Sequence, residues 1–97
     1  MRIFITAPFR EDKNKEEIEE LCLCVKKAGF EDFCFIRDVE KYSKIFTNSH
    51  ELMKRAKEEI EKSDIILLDY DGPATGRMIE VGIAFALQKK ICLMVKK

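Results

Sequence analysis

One carboxylate in the sequence is distinguished by the apolar residues around it. Glu80 is the only charged residue between Met78 and Leu87. Side chains in a helix lean toward its N-terminus, so a helix here would carry this carboxylate toward the preceding loop. A glutamate near a helix start is more often solvated, or stabilised by the helix dipole, than catalytic. The apolar setting weakens that explanation without removing it, so Glu80 is a candidate functional residue.

The loop that precedes Glu80 has the residues of an anion site. A helix N-terminus offers unpaired backbone N–H groups and the positive end of the helix dipole, which favour a phosphate or a carboxylate. Thr75, Gly76 and Arg77 are the expected donors, and Arg10 from an earlier loop would face the same place. The alternative is an ordinary helix start, because threonine is a normal N-cap residue.

Several other classes of function are not indicated. Acidic and basic residues balance at 18 each, so bulk charge does not favour binding to a nucleic acid polymer. There is no P-loop motif, and Gly72, Gly76 and Gly82 do not form a dinucleotide-binding GxGxxG. No residues have the spacing of metal ligands, so we expect neither a metal nor a cofactor. The four cysteines predict small buried side chains in a reducing compartment, and we expect a cytoplasmic protein without a membrane span.

Strand-like and helix-like segments alternate along the chain, which predicts a parallel α/β sheet with helices on both faces. The predicted strands cover residues 2–6, 33–37, 64–70 and 91–95. The predicted helices begin near Asn14, Asn48 and Thr75, and they end in turn at Gly29, before Ser63 and near Gln88. Because 97 residues are enough for one domain and too few for two that fold alone, we predict a single domain over residues 1–97.

The expected sheet also predicts where a ligand binds. Right-handed crossovers favour the strand order 2-1-3-4 of a three-layer, flavodoxin-like or Rossmann-like fold. Ligands bind such sheets at the C-terminal ends of strands one and three. The loop after strand one contains Thr6, Ala7 and Pro8, and the loop after strand three runs from Asp69 to Gly76. Both loops should line the substrate crevice.

The third predicted helix, residues 75–88, has almost no polar face. A helix that is apolar all round is buried all round. One side can pack on the sheet, but a domain this small has nothing to cover the other side. We therefore predict a homodimer through this helix.

Four segments together resemble the nucleoside 2-deoxyribosyltransferases and their relatives, the 2′-deoxynucleoside 5′-phosphate N-hydrolases. The segments are Ile3-Phe-Ile-Thr-Ala-Pro-Phe9, Ser63-Asp64, Asp71-Gly72 and Gly76-Arg-Met-Ile-Glu80-Val-Gly82-Ile-Ala84. The last segment is similar to the family's Gly-x-x-x-Glu-x-Gly-x-Ala, in which the glutamate is the nucleophile. The resemblance covers most of the chain.

The resemblance implies cleavage of the N-glycosidic bond of a 2′-deoxynucleoside or its 5′-monophosphate. Glu80 would attack C1′ and form a glycosyl-enzyme ester, which water or a second base would resolve. Thr75, Gly76 and Arg10 would hold the 5′ end of this small-molecule substrate.

The resemblance also implies an acid that handles the base. Asp69 or Asp71 would bind the base or protonate it as it leaves, with Gly72 among the substrate-binding residues. Asp64 also matches the family, but it begins its strand. Five residues at ~3.3 Å each place it roughly 17 Å from the C-terminal edge.

Three positions depart from the family pattern. Phe4 stands where a tyrosine often contacts the nucleophile, so we expect strand one to offer no hydroxyl to Glu80. Ala56 and Ala74 stand where relatives often carry acids. We therefore favour hydrolysis over transfer, with a catalytically silent, dimeric nucleotide-binding module as the alternative.

Overall fold

A sheet of parallel strands with helices on both faces forms the frame of the molecule. This computed structural model describes residues 1–7, 14–43, 48–70 and 75–95. Within them the strands are β1 (Arg2–Thr6), β2 (Glu31–Cys34), β3 (Ile65–Tyr70) and β4 (Lys90–Val95). The helices are α1 (Lys15–Lys27), α2 (Phe35–Asp38), α3 (Ser49–Glu61) and α4 (Thr75–Ala86). The strands pair in the order β2-β1-β3-β4, which confirms the predicted topology.

Two apolar cores cover the two faces of the sheet. Alternate side chains of a strand point to opposite faces, and β1 contributes to both cores. Ile3 and Ile5 pack with buried residues of α1, and we call this cluster the α1-side core. Phe4 packs with Ala56 of α3 and Ala84 of α4 in the α4-side core. Burial on both faces explains why β1 and β3 are nearly continuous apolar runs.

The second strand ends earlier than predicted. The expected strand over residues 33–37 was wrong beyond Cys34, where the chain turns into the short helix α2. The Asp38 carboxylate accepts a hydrogen bond from the Cys34 backbone N–H at 2.9 Å. Arg37 pairs with Asp38 at 2.7 Å and with Asp32 at 2.9 Å. These contacts stabilise one helical turn, which an apolar pattern alone does not predict.

The helix boundaries follow local signals in the sequence. The Asn48 side chain caps α3, because its Oδ1 accepts from the backbone N–H groups of His50 at 2.8 Å and Glu51 at 3.4 Å. The chain leaves α1 through Gly29, whose φ of +95° lies in the left-handed region that favours glycine. Both signals were used in the prediction.

The cysteines are less uniformly buried than predicted. Cys22 and Cys34 lie in the α1-side core, but Cys24 is exposed and Cys92 is half-buried. A hydrogen bond to Cys34, together with burial, raises the pKa of the Cys22 thiol. The burial of Cys22 and Cys34 is thus as expected, whereas Cys24 is exposed.

A buried carboxylate on α3 joins that helix to the start of β1. Glu59 is 4% exposed and binds Arg2 at 3.0 Å and Arg55 at 3.2 Å. Burial acts to raise the pKa of Glu59, but the hydrogen bonds from Arg2 and Arg55 outweigh it and hold this pKa below its usual value. The ionised carboxylate is thus the form that stabilises the fold.

We predict that Glu59→Gln lowers the free energy of unfolding by about 2 kcal/mol at pH 7, because Arg2 loses its charged partner. A carboxylate whose pKa is lower in the folded than in the unfolded protein stabilises above the unfolded pKa and loses that effect as pH falls. In urea denaturation the difference between wild type and variant should therefore shrink below about pH 4.

The matched control is Glu61→Gln, because Glu61 is exposed and its ion pair with Lys57 is 3.7 Å long. Surface pairs of this kind contribute little, so this variant should unfold much like wild type. Equal losses in the two variants, or a Glu59→Gln loss independent of pH, would contradict the assignment.

Candidate active site

Glu80 and Thr6 form a buried polar pair at the C-terminal edge of the sheet. Glu80 lies on α4 with 8% of its surface exposed, and Thr6 is the last residue of β1 with 5% exposed. The Thr6 hydroxyl Oγ1 donates a hydrogen bond to Glu80 Oε1 at 2.9 Å. The structure thus brings together two residues that are 74 positions apart and that were both predicted for the site.

The local structure explains how this pair is positioned. Thr6 follows Phe4 on the same face of β1, because strand residues two apart share a face. Glu80 precedes Ala84 by one helical turn, so these two residues share a face of α4. Phe4 and Ala84 are both fully buried in the α4-side core. The Thr6–Glu80 pair therefore lies next to the α4-side core, at the C-terminal edge of the sheet.

The expectation that strand one offers no hydroxyl to Glu80 was wrong. Phe4 has none, but Thr6, two residues later, supplies one at 2.9 Å. The two-residue period of strands was the available signal, because it places residue 6 on the face of residue 4. The residue types alone did not reveal the contact, since Thr6 was predicted only as part of the substrate-binding loop.

Asp69 reaches the same edge of the sheet from the other face. It is 6% exposed, and alternation along β3 places it with Ile65 and Leu67, which pack against the α1-side core. Ala7 packs against that core as well. Glu80 lies on the opposite side of the sheet, so a ligand that contacts both acids would lie across the ends of β1 and β3.

The other predicted site residues fall wholly or partly outside the described structure. Pro8, Arg10, Asp71 and Gly72 lie outside the described residues. Thr75, Gly76 and Arg77 form the first turn of α4, but their side chains lie outside the described part as well. Because α4 directly follows β3 in the chain, its N-terminal turn is at the C-terminal edge of the sheet. The anion site stays a prediction based on this backbone placement.

Asp64 is at the opposite end of the strands and contacts the backbone of β1. Its Oδ2 accepts from the Arg2 N–H at 2.8 Å, and its own N–H donates to the Arg2 carbonyl at 2.8 Å. The neighbouring Ser63 hydroxyl donates to the Glu59 carbonyl at 2.9 Å. Asp64 therefore joins the start of β3 to β1, and its place away from the C-terminal edge is as predicted.

The described residues also bear on metal binding and membrane insertion. No group of three or more His, Cys, Asp and Glu side chains there could hold a metal ion. Across the same residues, no helix is long and apolar enough to span a bilayer.

The fold and the buried carboxylate define a class of protein. In open, parallel α/β sheets of the flavodoxin-like order, ligands bind at the switch point beyond the C-terminal ends of the strands, and the Thr6–Glu80 pair lies at that edge. Residues 3–97 match the nucleoside 2-deoxyribosyltransferase family, and the chain belongs to that family. This confirms the resemblance seen in the sequence.

A solved structure supports the fold. The CMP N-glycosidase BcmB of Clostridium botulinum is 24% identical, with a TM-score of 0.70. The alignment covers 97% of this chain and 71% of that chain. No curated protein matches the sequence.

We predict that Asp64→Ala lowers the free energy of unfolding by about 1 kcal/mol, because the Arg2 N–H loses its carboxylate acceptor. Asp64→Asn should lose less, since an amide oxygen can still accept that bond. Urea denaturation of the two variants measures the difference. Unchanged stability in Asp64→Ala, combined with weaker nucleotide binding, would contradict a structural role.

Proposed function

We propose that this protein cleaves the N-glycosidic bond of a 2′-deoxynucleoside or its 5′-monophosphate, with Glu80 as the nucleophile. The observation that carries the proposal is the buried Glu80 carboxylate, which Thr6 holds at 2.9 Å at the switch-point edge of the sheet. Membership of the nucleoside 2-deoxyribosyltransferase family supports chemistry at an N-glycosidic bond. The similar fold of BcmB, a CMP N-glycosidase, supports the same class of reaction.

The proposed reaction has two steps. A Glu80 oxygen forms a bond to C1′ while the bond from C1′ to the base nitrogen breaks, and its electron pair leaves with the base. A protonated acid supplies a proton to the leaving base, and Asp69 or Asp71 has this role in the proposal. Water then attacks C1′ while the bond from C1′ to the Glu80 oxygen breaks, which releases the sugar and restores the Glu80 carboxylate. The carboxylate left on Asp69 or Asp71 accepts the proton of this water and becomes the acid again.

The positions of the proposed groups suit this chemistry. Burial removes most water from around Glu80, so little hydration must be lost before it reaches C1′. Asp69 on the opposite face of the sheet would meet the substrate from its other side. The N-terminal turn of α4 would bind the 5′-phosphate through backbone N–H groups, with Thr75, Gly76, Arg77 and Arg10 as proposed contacts. Thr6, Ala7, Pro8 and Gly72 complete the proposed substrate site.

Hydrolysis is proposed over deoxyribosyl transfer. A transferase must bind a second base as acceptor after the first has left, which requires groups that recognise both bases. Ala74 and Ala56 stand where relatives often carry acids, so fewer such groups are available. In hydrolysis the acceptor is water, which requires no groups that recognise a second base.

The test is to incubate the purified protein with deoxynucleosides, their 5′-monophosphates and CMP, and to quantify free base by chromatography. We expect base release from at least one deoxy substrate. Glu80→Gln should lower kcat by about a thousandfold or more, because the amide is a poor nucleophile.

Glu58→Gln is the matched control, since Glu58 is exposed on α3. It should leave the rate of base release unchanged. Thermal stabilisation by a nucleotide without any base release would instead indicate the silent binding module. Equal rates for wild type and Glu80→Gln would exclude Glu80 as the nucleophile.

We also propose that α4 forms a homodimer interface. Its outer face exposes Met78 at 41%, Ile79 at 43% and Phe85 at 76%. Gly82 lies on the same face, and a Cβ added there would meet nothing within 4 Å. Apolar residues around a glycine allow a second helix to approach closely, which makes a second copy of α4 the proposed partner.

We predict that Phe85→Glu converts the dimer to the 11.3 kDa monomer in sedimentation equilibrium, because a charge cannot be buried at this interface. Leu23→Glu is the control, since Leu23 is 49% exposed on α1, on the other face of the sheet. This variant should remain a dimer, because the sheet separates Leu23 from α4. A monomeric wild type, or a dimer that survives Phe85→Glu, would overturn the proposal.

We also propose that the protein is located in a reducing compartment, such as the cytoplasm. Cys22, Cys24, Cys34 and Cys92 are all free cysteines, and Cys24 is exposed. Exposed thiols persist where glutathione and thioredoxin keep them reduced. The free cysteines therefore support a cytoplasmic location.

A further inference from the structure

We propose that Thr6 is a positioning residue for the reaction, whose hydroxyl orients the Glu80 carboxylate for attack on C1′. This inference rests on the proposed function of Glu80 as the nucleophile. It follows from the hydrogen bond that Thr6 Oγ1 donates to Glu80 Oε1 at 2.9 Å.

The hydroxyl is carried by a rigid part of the molecule. Thr6 ends β1, which pairs with β2 on one side and with β3 on the other, and its register partner on β3 is Leu68. A β-branched side chain also has few χ1 rotamers. The donor therefore has a defined position relative to the sheet, whereas the terminal torsion of a glutamate is broad without such a contact.

Burial makes this hydrogen bond strong. Thr6 and Glu80 are 5% and 8% exposed, so water competes weakly for either partner. A hydroxyl that donates to a carboxylate forms a charge-assisted bond, roughly twice as strong as one between neutral groups. The contact is thus able to select one orientation of the carboxylate.

The contact can also persist through the proposed reaction. If Oε2 forms the bond to C1′, then Oε1 becomes the carbonyl oxygen of the ester. A carbonyl oxygen still accepts a hydrogen bond, so Thr6 can hold the carboxylate and the intermediate alike. The electron pair of the broken bond leaves with the base, and Thr6 neither gains nor loses a proton.

The neighbouring Phe4 explains why the hydroxyl is at position 6. The Phe4 ring is fully buried, with its centroid 5.6 Å from that of Phe33 and 6.3 Å from that of Phe35. A hydroxyl on this ring would have to be accommodated at the apolar core. In this chain the aromatic ring fills the core, and the polar contact to Glu80 comes from the next residue on the same face of β1.

The test compares Thr6→Val, which keeps the shape and removes the hydroxyl, with Thr6→Ser, which keeps the hydroxyl. We expect Thr6→Val to lower kcat by about tenfold to a hundredfold with KM within about twofold, because the hydroxyl acts on Glu80. A rise in KM without a loss of kcat would instead assign the hydroxyl to substrate binding and would overturn the positioning role. Thr6→Ser should retain kcat within about threefold. The acidic limb of the pH–kcat profile of Thr6→Val should move to higher pH, because the carboxylate loses a donor that favours its charged form.

The control measurements separate this inference from the proposed function. Base release by wild type and its loss in Glu80→Gln establish the nucleophile independently of Thr6. Urea denaturation confirms that both Thr6 variants are folded. If wild type is active and Thr6→Val retains its kcat, or if both variants lose equal activity, Thr6 is not a positioning residue and the proposed function still holds. A wild type without base release from any substrate overturns both.

Discussion

A parallel sheet that is covered by helices on both sides has no room for polar side chains along the middle of its strands. Ile3, Phe4 and Ile5 are all buried, although they alternate between two separate cores. α1 covers one core, while α3 and α4 cover the other. Within β1 and β3 the polar side chains are therefore at the strand ends, and the Arg2–Glu59 and Thr6–Glu80 contacts lie at opposite ends of β1.

The C-terminal end places a carboxylate where the α4-side core stops. A buried carboxylate loses favourable hydration, and the cost is large unless a donor replaces the lost water. The Thr6 hydroxyl replaces part of it, at a distance of 2.9 Å. The same contact that helps to make burial tolerable also orients the oxygen atoms, so one hydrogen bond contributes both to the stability of the site and to its proposed reactivity.

The sequence was sufficient to predict the strand order and the position of Glu80 at the C-terminal edge of the sheet, because both depend on local patterns. Apolar runs, capping residues and the glycine after α1 mark the elements, and the rules for parallel sheets order them. Some of the contacts that the sequence did not predict join residues far apart in the chain. Glu59 lies on a helix that is otherwise rich in exposed charge, and its partner Arg2 is 57 positions away. The early end of β2 likewise depends on side-chain bonds that involve Arg37 and Asp38, which apolar periodicity cannot reveal.

The N-terminal end of the strands has a different character. Arg2, Glu59, Ser63 and Asp64 bind one another there and join α3 and β3 to the start of β1. These contacts are separated by the length of the strands from Thr6 and Glu80. Mutations that alter substrate preference can therefore accumulate in the loops at one end while the contacts at the other end continue to hold the strands in register. A small domain arranged in this way can evolve new specificities without having to evolve a new core.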